Sequence, residues 1–251
     1  KPQLDSLASE INLELRRALA DTRPLLRICA SHGYAVALLP DFAHDFQLDL
    51  QYDNPLGALM ALNRGSCEVA GFHVPRSIAI PALFARYRQL LNNREHIAIR
   101  FVTREQGLVV ASGNPKAISG IESFKDSPLR FINRQQDSGS RYLIDTLFAQ
   151  AGVDTQQVMG YGDQEFTHGA IAAYVAAGMA DAGFCVEAAA RQFKLDFIPL
   201  TTEDYVLVCR RRDLEEGAVA ALVQQMRAPA FLAAIEELPG YHPSGCGDVE
   251  D

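Results

Sequence analysis

The chain lacks tryptophan, and only 8% of its 251 residues are aromatic, so a sugar-stacking site is not expected. It has no apolar run near the roughly 18 to 20 residues that cross a bilayer, and we predict no contact with a membrane. Basic residues are fewer than acidic ones, 23 against 31, and the net charge is −8. This balance excludes a large nucleic-acid footprint on these residues. The negative net charge is compatible with binding of a small anion by backbone N–H groups and a few arginines.

The cysteines are odd in number, five, and form no C-x-x-C pair. Neither a disulfide framework nor a zinc knuckle is therefore expected. Four of them lie inside apolar, strand-like runs, where a free thiol packs as a small hydrophobic group. This usage suits a reducing compartment, and the first residues lack the apolar core of a signal peptide. We therefore expect a cytoplasmic protein.

Residues 1–22 are interpreted as a linker helix, because leucine and isoleucine recur there at steps of three and four. An alternation of strands and helices follows, with strands predicted at 25–30, 46–52, 67–73 and 96–103. Similar alternation resumes after Asn114-Pro115, with strands at 129–133, 158–161, 181–186, 196–200 and 204–209. Such alternation predicts an α/β fold with mostly parallel sheets flanked by helices.

Two α/β sets of similar size predict two lobes with a ligand cleft between them. We assign 23–103 together with 207–251 to lobe I and 104–206 to lobe II. Two chain crossings, near 102–112 and 200–206, would then form the hinge.

The ligand of an open α/β sheet lies at the carboxyl ends of the strands, where helices begin. The strongest candidate there is the turn that opens the first helix of lobe II, with Asn133, Arg134, Ser138, Gly139, Ser140 and Arg141. Its small residues allow close backbone approach, and a helix N-terminus favours an anion. It is not a P-loop, because the second glycine and the Lys-Ser/Thr pair are absent. An ordinary capped turn is the alternative.

Other turns supply further candidate ligand-binding residues, namely Ser31, His32, Gly33, Tyr34, Ser66, His73, Glu165, Thr167 and His168. Several of these have a simpler interpretation as helix caps or surface residues. The histidines show no H-x-x-x-H or H-E-x-x-H spacing, so no metal and no cofactor are expected. No G-x-S-x-G nucleophile turn occurs. We therefore expect a binding protein and not an enzyme.

Four segments in order resemble the periplasmic-binding-protein-like (type II) domain family, which is related to LysR-type effector domains and to molybdate- and tungstate-binding proteins. They are REQGLVVASGNPKAI (104–118), FINRQQDSGSRYLID (131–145), GYGDQEFTHGAIAAYVAAGMADAGF (160–184) and LDFIPLTTEDYVLV (195–208). The family's Gly-Ser-Gly-Thr-Arg turn is similar to 137–141 here, which begins with an aspartate. The resemblance implies a two-lobed fold over roughly 25–240.

The resemblance also implies a function, the effector-binding domain of a LysR-like transcriptional regulator. Its ligand would be a small anion such as molybdate or another oxyanion, and closure of the lobes would carry the signal. DNA would be contacted only through a helix-turn-helix ahead of Lys1, and the protein would act as a homo-oligomer, in the simplest case a dimer. The alternative is an exported periplasmic solute-binding protein of a molybdate/tungstate-type ABC transporter.

Overall fold

A computed structural model describes residues 22–215 and 217–250, so the predicted linker helix lies outside the described residues except for its last residue, Thr22, which is not helical. The strands are β1 (Leu25–Ala30), β2 (Gln47–Tyr52), β3 (Val69–Pro75), β4 (His96–Val110), β5 (Phe131–Arg134), β6 (Gln164–Glu165), β7 (Ala182–Val186), β8 (Asp196–Arg210), β9 (Tyr241–His242) and β10 (Val249–Glu250).

The helices alternate with these strands as the sequence predicts. They are α1 (Tyr34–Ala37), α2 (Leu39–Phe42), α3 (Pro55–Arg64), α4 (Pro81–Leu90), α5 (Gly139–Gln150), α6 (His168–Ala176), α7 (Glu187–Gln192), α8 (Gly217–Met226) and α9 (Pro229–Glu236). Short 3₁₀ turns lie at Ile121–Phe124 and Arg211–Asp213.

The sheet has two halves that share their two longest strands. Its order is β2-β1-β3-β8-β4-β7-β5-β6. In the first half, β2, β1 and β3 are parallel and β8 runs against them. In the second half, β7, β5 and β6 are parallel and β4 runs against them. Each half is therefore mostly parallel, and the predicted two-lobed α/β class is confirmed.

Strands β4 and β8 pass from one half into the other, and both predicted hinge segments fall within or beside them. The sequence suggests breaks at these places, whereas the structure has two continuous strands. Their antiparallel pairing is irregular between Arg100 and Val102 and again between Gln106 and Gly107. At the second irregularity a Cβ on Gly107 would lie 2.0 Å from the carbonyl oxygen of Ile198, so only glycine fits there.

Two buried hydrophobic clusters cover the opposite faces of the sheet. Neighbouring strand residues alternate between them, because successive side chains of a strand point to opposite faces. Leu207 belongs to one cluster and Val208 to the other, and Phe184 and Cys185 divide in the same way. Both clusters extend through both halves, so the packing joins the lobes as well as filling each one.

The C-terminal segment, which the sequence analysis interprets as irregular, contains two short strands. β9 and β10 both pair with β4. All five cysteines are buried and free. No single helix of the described residues has the length and apolar composition for a membrane span; only α8 and α9 taken together across their 58° bend reach both.

Candidate functional site

A cavity of about 500 Å³ lies between the two halves, where the parallel strands end and helices begin. Both halves contribute to its wall, which consists of Ser31, His32, Tyr52, Asp53, Asn54, Pro55, His73, Arg104, Arg134, Gln135, Gln136, Ser138, Gly139, Ser140, Phe166, Thr167 and His168. Its position is the one that open α/β sheets use for ligands.

Three helices begin at this cavity, and each start has a side-chain cap. Asn54 accepts bonds from the backbone amides of residues 56 and 57 at the start of α3. Ser138 Oγ accepts from the amide of residue 141 in α5, at 3.1 Å. Thr167 Oγ1 accepts from the amide of residue 170 in α6, at 3.0 Å. The positive ends of three helix dipoles therefore face one cavity and favour negative charge there.

Arg104 reaches the cavity from the long strand β4 and is fully buried. Its Nε and Nη2 atoms each donate to Glu203 Oε2 at 3.0 Å, and Gln106 Nε2 donates to the same oxygen. Burial opposes the charged form most strongly, but Glu203 and Tyr241 together outweigh it and raise the pKa of Arg104. The guanidinium is therefore charged. It lies against the buried side chain of Tyr241, and its Nη1 atom makes no well-formed hydrogen bond to the described chain.

Arg134 is the second buried guanidinium of the cavity. It donates from Nη2 to the carbonyl oxygen of Phe166 at 2.9 Å and from Nε to Gln135 Oε1 at 3.1 Å. Nη1 lies 3.3 Å from both ring nitrogens of His168. Burial and then the charge of Arg104 lower its pKa to about 10, which still leaves it protonated at neutral pH. Within the described residues no carboxylate pairs with it.

The three cavity histidines are neutral at physiological pH. Burial, and then the charges of Arg104 and Arg134, lower the pKa values of His32, His73 and His168. A neutral imidazole offers one donor and one acceptor nitrogen. The rings therefore supply hydrogen-bonding groups of both kinds without adding positive charge.

Several polar atoms of the cavity wall are buried and unpartnered. They are Ser31 Oγ, His32 Nδ1, His73 Nε2 and Arg104 Nη1. A buried polar group without a hydrogen bond costs free energy, and native proteins contain few of them. Their concentration at one place indicates a site that is completed by a bound molecule.

The two halves already touch on both sides of the cavity. On one side Tyr34 of α1 donates to Gln192 Oε1 at the end of α7, at 2.7 Å. On the other side Arg86 of α4 donates to the hydroxyl of Tyr142 in α5, at 2.9 Å. Two side-chain hydrogen bonds therefore join the lobes in addition to strands β4 and β8.

A family model described as a PBP superfamily domain matches residues 39–227. The chain belongs to the PBP superfamily. Its fold, two lobes joined by two strands around a cleft, agrees with this assignment.

One known protein is similar to the chain in sequence, and solved structures are similar to it in fold. The uncharacterised protein YvgK of Bacillus subtilis is 32% identical over 199 residues, which are 79% of this chain and 64% of that protein. The chain thus spans less than two thirds of this relative. A tungstate ABC transporter structure from Geobacter sulfurreducens has a TM-score of 0.61 at 13% identity, covering 85% of this chain and 98% of that one. The sulfate-bound OxyR2 regulatory domain from Vibrio vulnificus has a TM-score of 0.55 at 14% identity, covering 81% and 92%.

The PBP cleft brings together most of the residues that the sequence proposes for a ligand. Those that line the cavity are Ser31, His32, His73, Arg134, Ser138, Gly139, Ser140, Thr167 and His168. They come from both halves and from strand ends that are far apart in sequence. The turn before α5 faces the cleft, although the hydroxyl of Ser138 is occupied as the helix cap and as a donor to the carbonyl of residue 135.

The remaining candidates lie outside the wall. Ser66 is exposed at the amino end of β3, opposite the end that carries His73. Asn133 bonds to backbone atoms, and Arg141 pairs with the carboxylate of an aspartate one turn further on and stacks on a tyrosine ring. Glu165 lies in β6 beside the cleft.

Gly33 and Tyr34 do not line the cavity, but they directly follow the wall residue His32 in the chain. A Cβ on Gly33 would lie 3.5 Å from Arg104 Nη1, which is an ordinary van der Waals contact, so Gly33 lies beside that guanidinium without being required there. Tyr34 forms the contact between lobes described above.

Several wall residues are not among the candidates predicted from the sequence, and Arg104 is the most important of them. Arg104 is flanked by Thr103 and Glu105 in a segment predicted as hinge, so its burial was not visible in the sequence. The turn 52–55 is not among the sequence-based candidates, although it follows a predicted strand in the same way as the other turns. Gln135 and Gln136 lie in the segment 131–145 and Phe166 lies in the segment 160–184, both of which carry the resemblance to the family.

Proposed function

We propose that this PBP domain binds a small anion in the cleft and signals through closure of its lobes, as the ligand-sensing domain of a LysR-like transcriptional regulator. The observation that carries the proposal is the unpartnered Nη1 atom of Arg104, which is fully buried at the cavity. A second buried guanidinium and three helix N-termini add positive potential around it.

The structural neighbours support an anionic ligand. One of them is a tungstate ABC transporter and another is a sulfate-bound regulatory domain. Molybdate and other oxyanions are candidates on the sequence resemblance. A ligand that bonds to Arg104 and to the helix starts of the second lobe makes more contacts in the closed form than in the open one. This differential affinity would shift the equilibrium between the lobes.

A sensing role also agrees with the chemistry of the cavity. In the part of the cleft that the structure describes, no serine hydroxyl is hydrogen-bonded to an imidazole. Cys185, which lies near Arg134, is fully buried, and burial raises the pKa of its thiol above its usual range. Neither group resembles an activated nucleophile, and we propose that the domain is not an enzyme.

The regulator and the exported solute-binding protein remain the two competing roles. The buried free cysteines and the similarity to a regulatory domain support the cytoplasmic regulator. In that role a helix-turn-helix outside the present residues would contact DNA, and two copies would act together. The similarity to a tungstate transporter structure supports the alternative.

Anion binding is tested by isothermal titration with molybdate, tungstate, sulfate and phosphate at constant ionic strength. We expect at least one of them to bind, and Arg134→Met to weaken that binding about 10- to 100-fold, as expected for one charge-assisted hydrogen bond. Arg88→Met is the matched control, because Arg88 is exposed outside the cleft. An equal effect of both variants would refute the site.

The cellular role is tested by fractionating bacteria that carry the full-length gene. Recovery in the cytosol together with binding to its own promoter DNA supports the regulator. Recovery in the periplasm with no DNA binding would instead establish the exported protein.

A further inference from the structure

The wall residues at the floor of the cleft differ from those at its mouth in solvent exposure and in chemical type. At the floor, Arg104 is 0% exposed and His73 is 4% exposed. At the mouth, Phe166 is 69% exposed and Tyr52 is 46% exposed, and both of these rings line the same cavity. Tyr52 belongs to the first half and Phe166 to the second. Charge and unpartnered donors thus lie deep in the cleft, while aromatic surface lies at its entrance.

The size of the cleft is large for a bare tetrahedral oxyanion. Such an ion fills roughly the space of two or three waters, about 60 to 90 Å³, whereas the cavity measures about 500 Å³. A volume of this size is typical of sites for organic small molecules.

The cleft also contains hydrogen-bond acceptors. A fully ionised oxyanion has no N–H or O–H group and cannot donate a hydrogen bond to them. Asp53 at the cavity wall is an acceptor when ionised. One of its oxygens accepts the amide of residue 54 at 2.7 Å. The imidazoles of His32 and His73 each have a buried nitrogen without a partner, and such a nitrogen accepts or donates according to the tautomer. A ligand with both acidic and N–H or O–H groups matches this set of partners better than an ion that only accepts.

We propose that the ligand is an organic anion, with an acidic head group bound at the floor by Arg104 and a flat ring carrying donor groups that contacts Tyr52 and Phe166 at the mouth. This inference rests on the proposed function, since it names the class of anion for the same cleft. It assigns separate tasks to the two regions. The floor provides affinity for any suitable anion, and the aromatic mouth selects those with a ring.

The test compares two probes that share one head group, inorganic phosphate and phenyl phosphate, by isothermal titration on the same protein. We expect phenyl phosphate to bind about tenfold more tightly or better, since ring contacts add to the contribution of the head group. Phe166→Ala should remove most of this gain and leave the affinity for inorganic phosphate unchanged. The variant keeps the backbone carbonyl that Arg134 uses, and the side chain is mostly exposed, so the fold is preserved.

Phe193→Ala is the matched control, because Phe193 is partly exposed after α7 and does not line this cavity. It should change neither affinity. Equal or weaker binding of phenyl phosphate, with inorganic phosphate or molybdate still bound, would overturn the organic ligand and leave the anion site intact. Failure of every probe to bind would overturn both proposals. If phenyl phosphate still binds more tightly than inorganic phosphate in Phe166→Ala, the Phe166 ring does not cause the difference and the proposed role of the mouth is wrong.

Discussion

The buried pair between Arg104 and Glu203 provides the sharpest test of how this cleft is held in place. The two residues face each other in the register of β4 and β8, where both strands pass between the lobes. Their side chains are 0% and 1% exposed. The substitution Glu203→Gln keeps the size and one acceptor oxygen of the side chain. It removes the negative charge that balances a buried guanidinium.

The expected cost follows from that loss of charge. Removing one partner of a buried ion pair costs about 3 to 5 kcal/mol, because the other charge stays buried without compensation. At about 2 to 4 °C per kcal/mol for a chain of this size, the melting temperature should fall by about 6 to 20 °C. The pair between Glu187 and Arg191, one helical turn apart and with side chains 19% and 51% exposed, provides the matched control. Glu187→Gln should cost only about 0.3 to 0.5 kcal/mol.

Urea unfolding followed by circular dichroism measures both free energies directly, and a thermal melt gives the temperatures. Replacing both partners, Arg104→Met with Glu203→Leu, should recover most of the stability, since no charge is then left unpaired. A loss below about 1 kcal/mol in Glu203→Gln would refute the reasoning. It would mean that the guanidinium finds its compensation elsewhere.

Three further predictions concern the same cleft. The lowered pKa values of His73 and His168 mean that the unfolded chain takes up protons below about pH 6.5 while the folded chain resists them. The unfolding free energy should therefore fall as the pH drops from 6.5, by up to about 1.4 kcal/mol per pH unit for each histidine, and urea titrations between pH 7.5 and 5 measure this slope. Ser138→Ala removes the cap of α5 and should lower the free energy of unfolding by about 1 kcal/mol. Ser140→Ala should weaken phosphate binding with little effect on unfolding. The prediction is wrong if Ser138→Ala weakens only binding and Ser140→Ala weakens only stability. Tyr34→Phe removes one hydrogen bond between the lobes, worth about 0.5 to 1.5 kcal/mol, and small-angle scattering should then show a larger radius of gyration without ligand.

The sequence was sufficient for the class of fold and for much of the cleft. Hydrophobic periodicity and turn residues act locally, so the strand and helix alternation was visible without any tertiary information. The caps at Asn54, Ser138 and Thr167 mark helix starts, and in an α/β sheet helix starts lie at the ligand edge. For this reason nine of the proposed residues line the cavity, although Ser66 at the opposite end of its strand does not.

The tertiary structure decided the matters that depend on contacts between distant segments. Strands β4 and β8 are single long strands, since pairing with each other along their whole length overrides the local turn signals. Arg104 meets Glu203 across 99 positions of sequence, and no local pattern specifies which buried charge finds which partner. The unpartnered atoms at the cavity arise in the same way, because burial and hydrogen-bond satisfaction are properties of the packed chain. Sequence periodicity thus determined the elements, and long-range packing determined the electrostatics of the site.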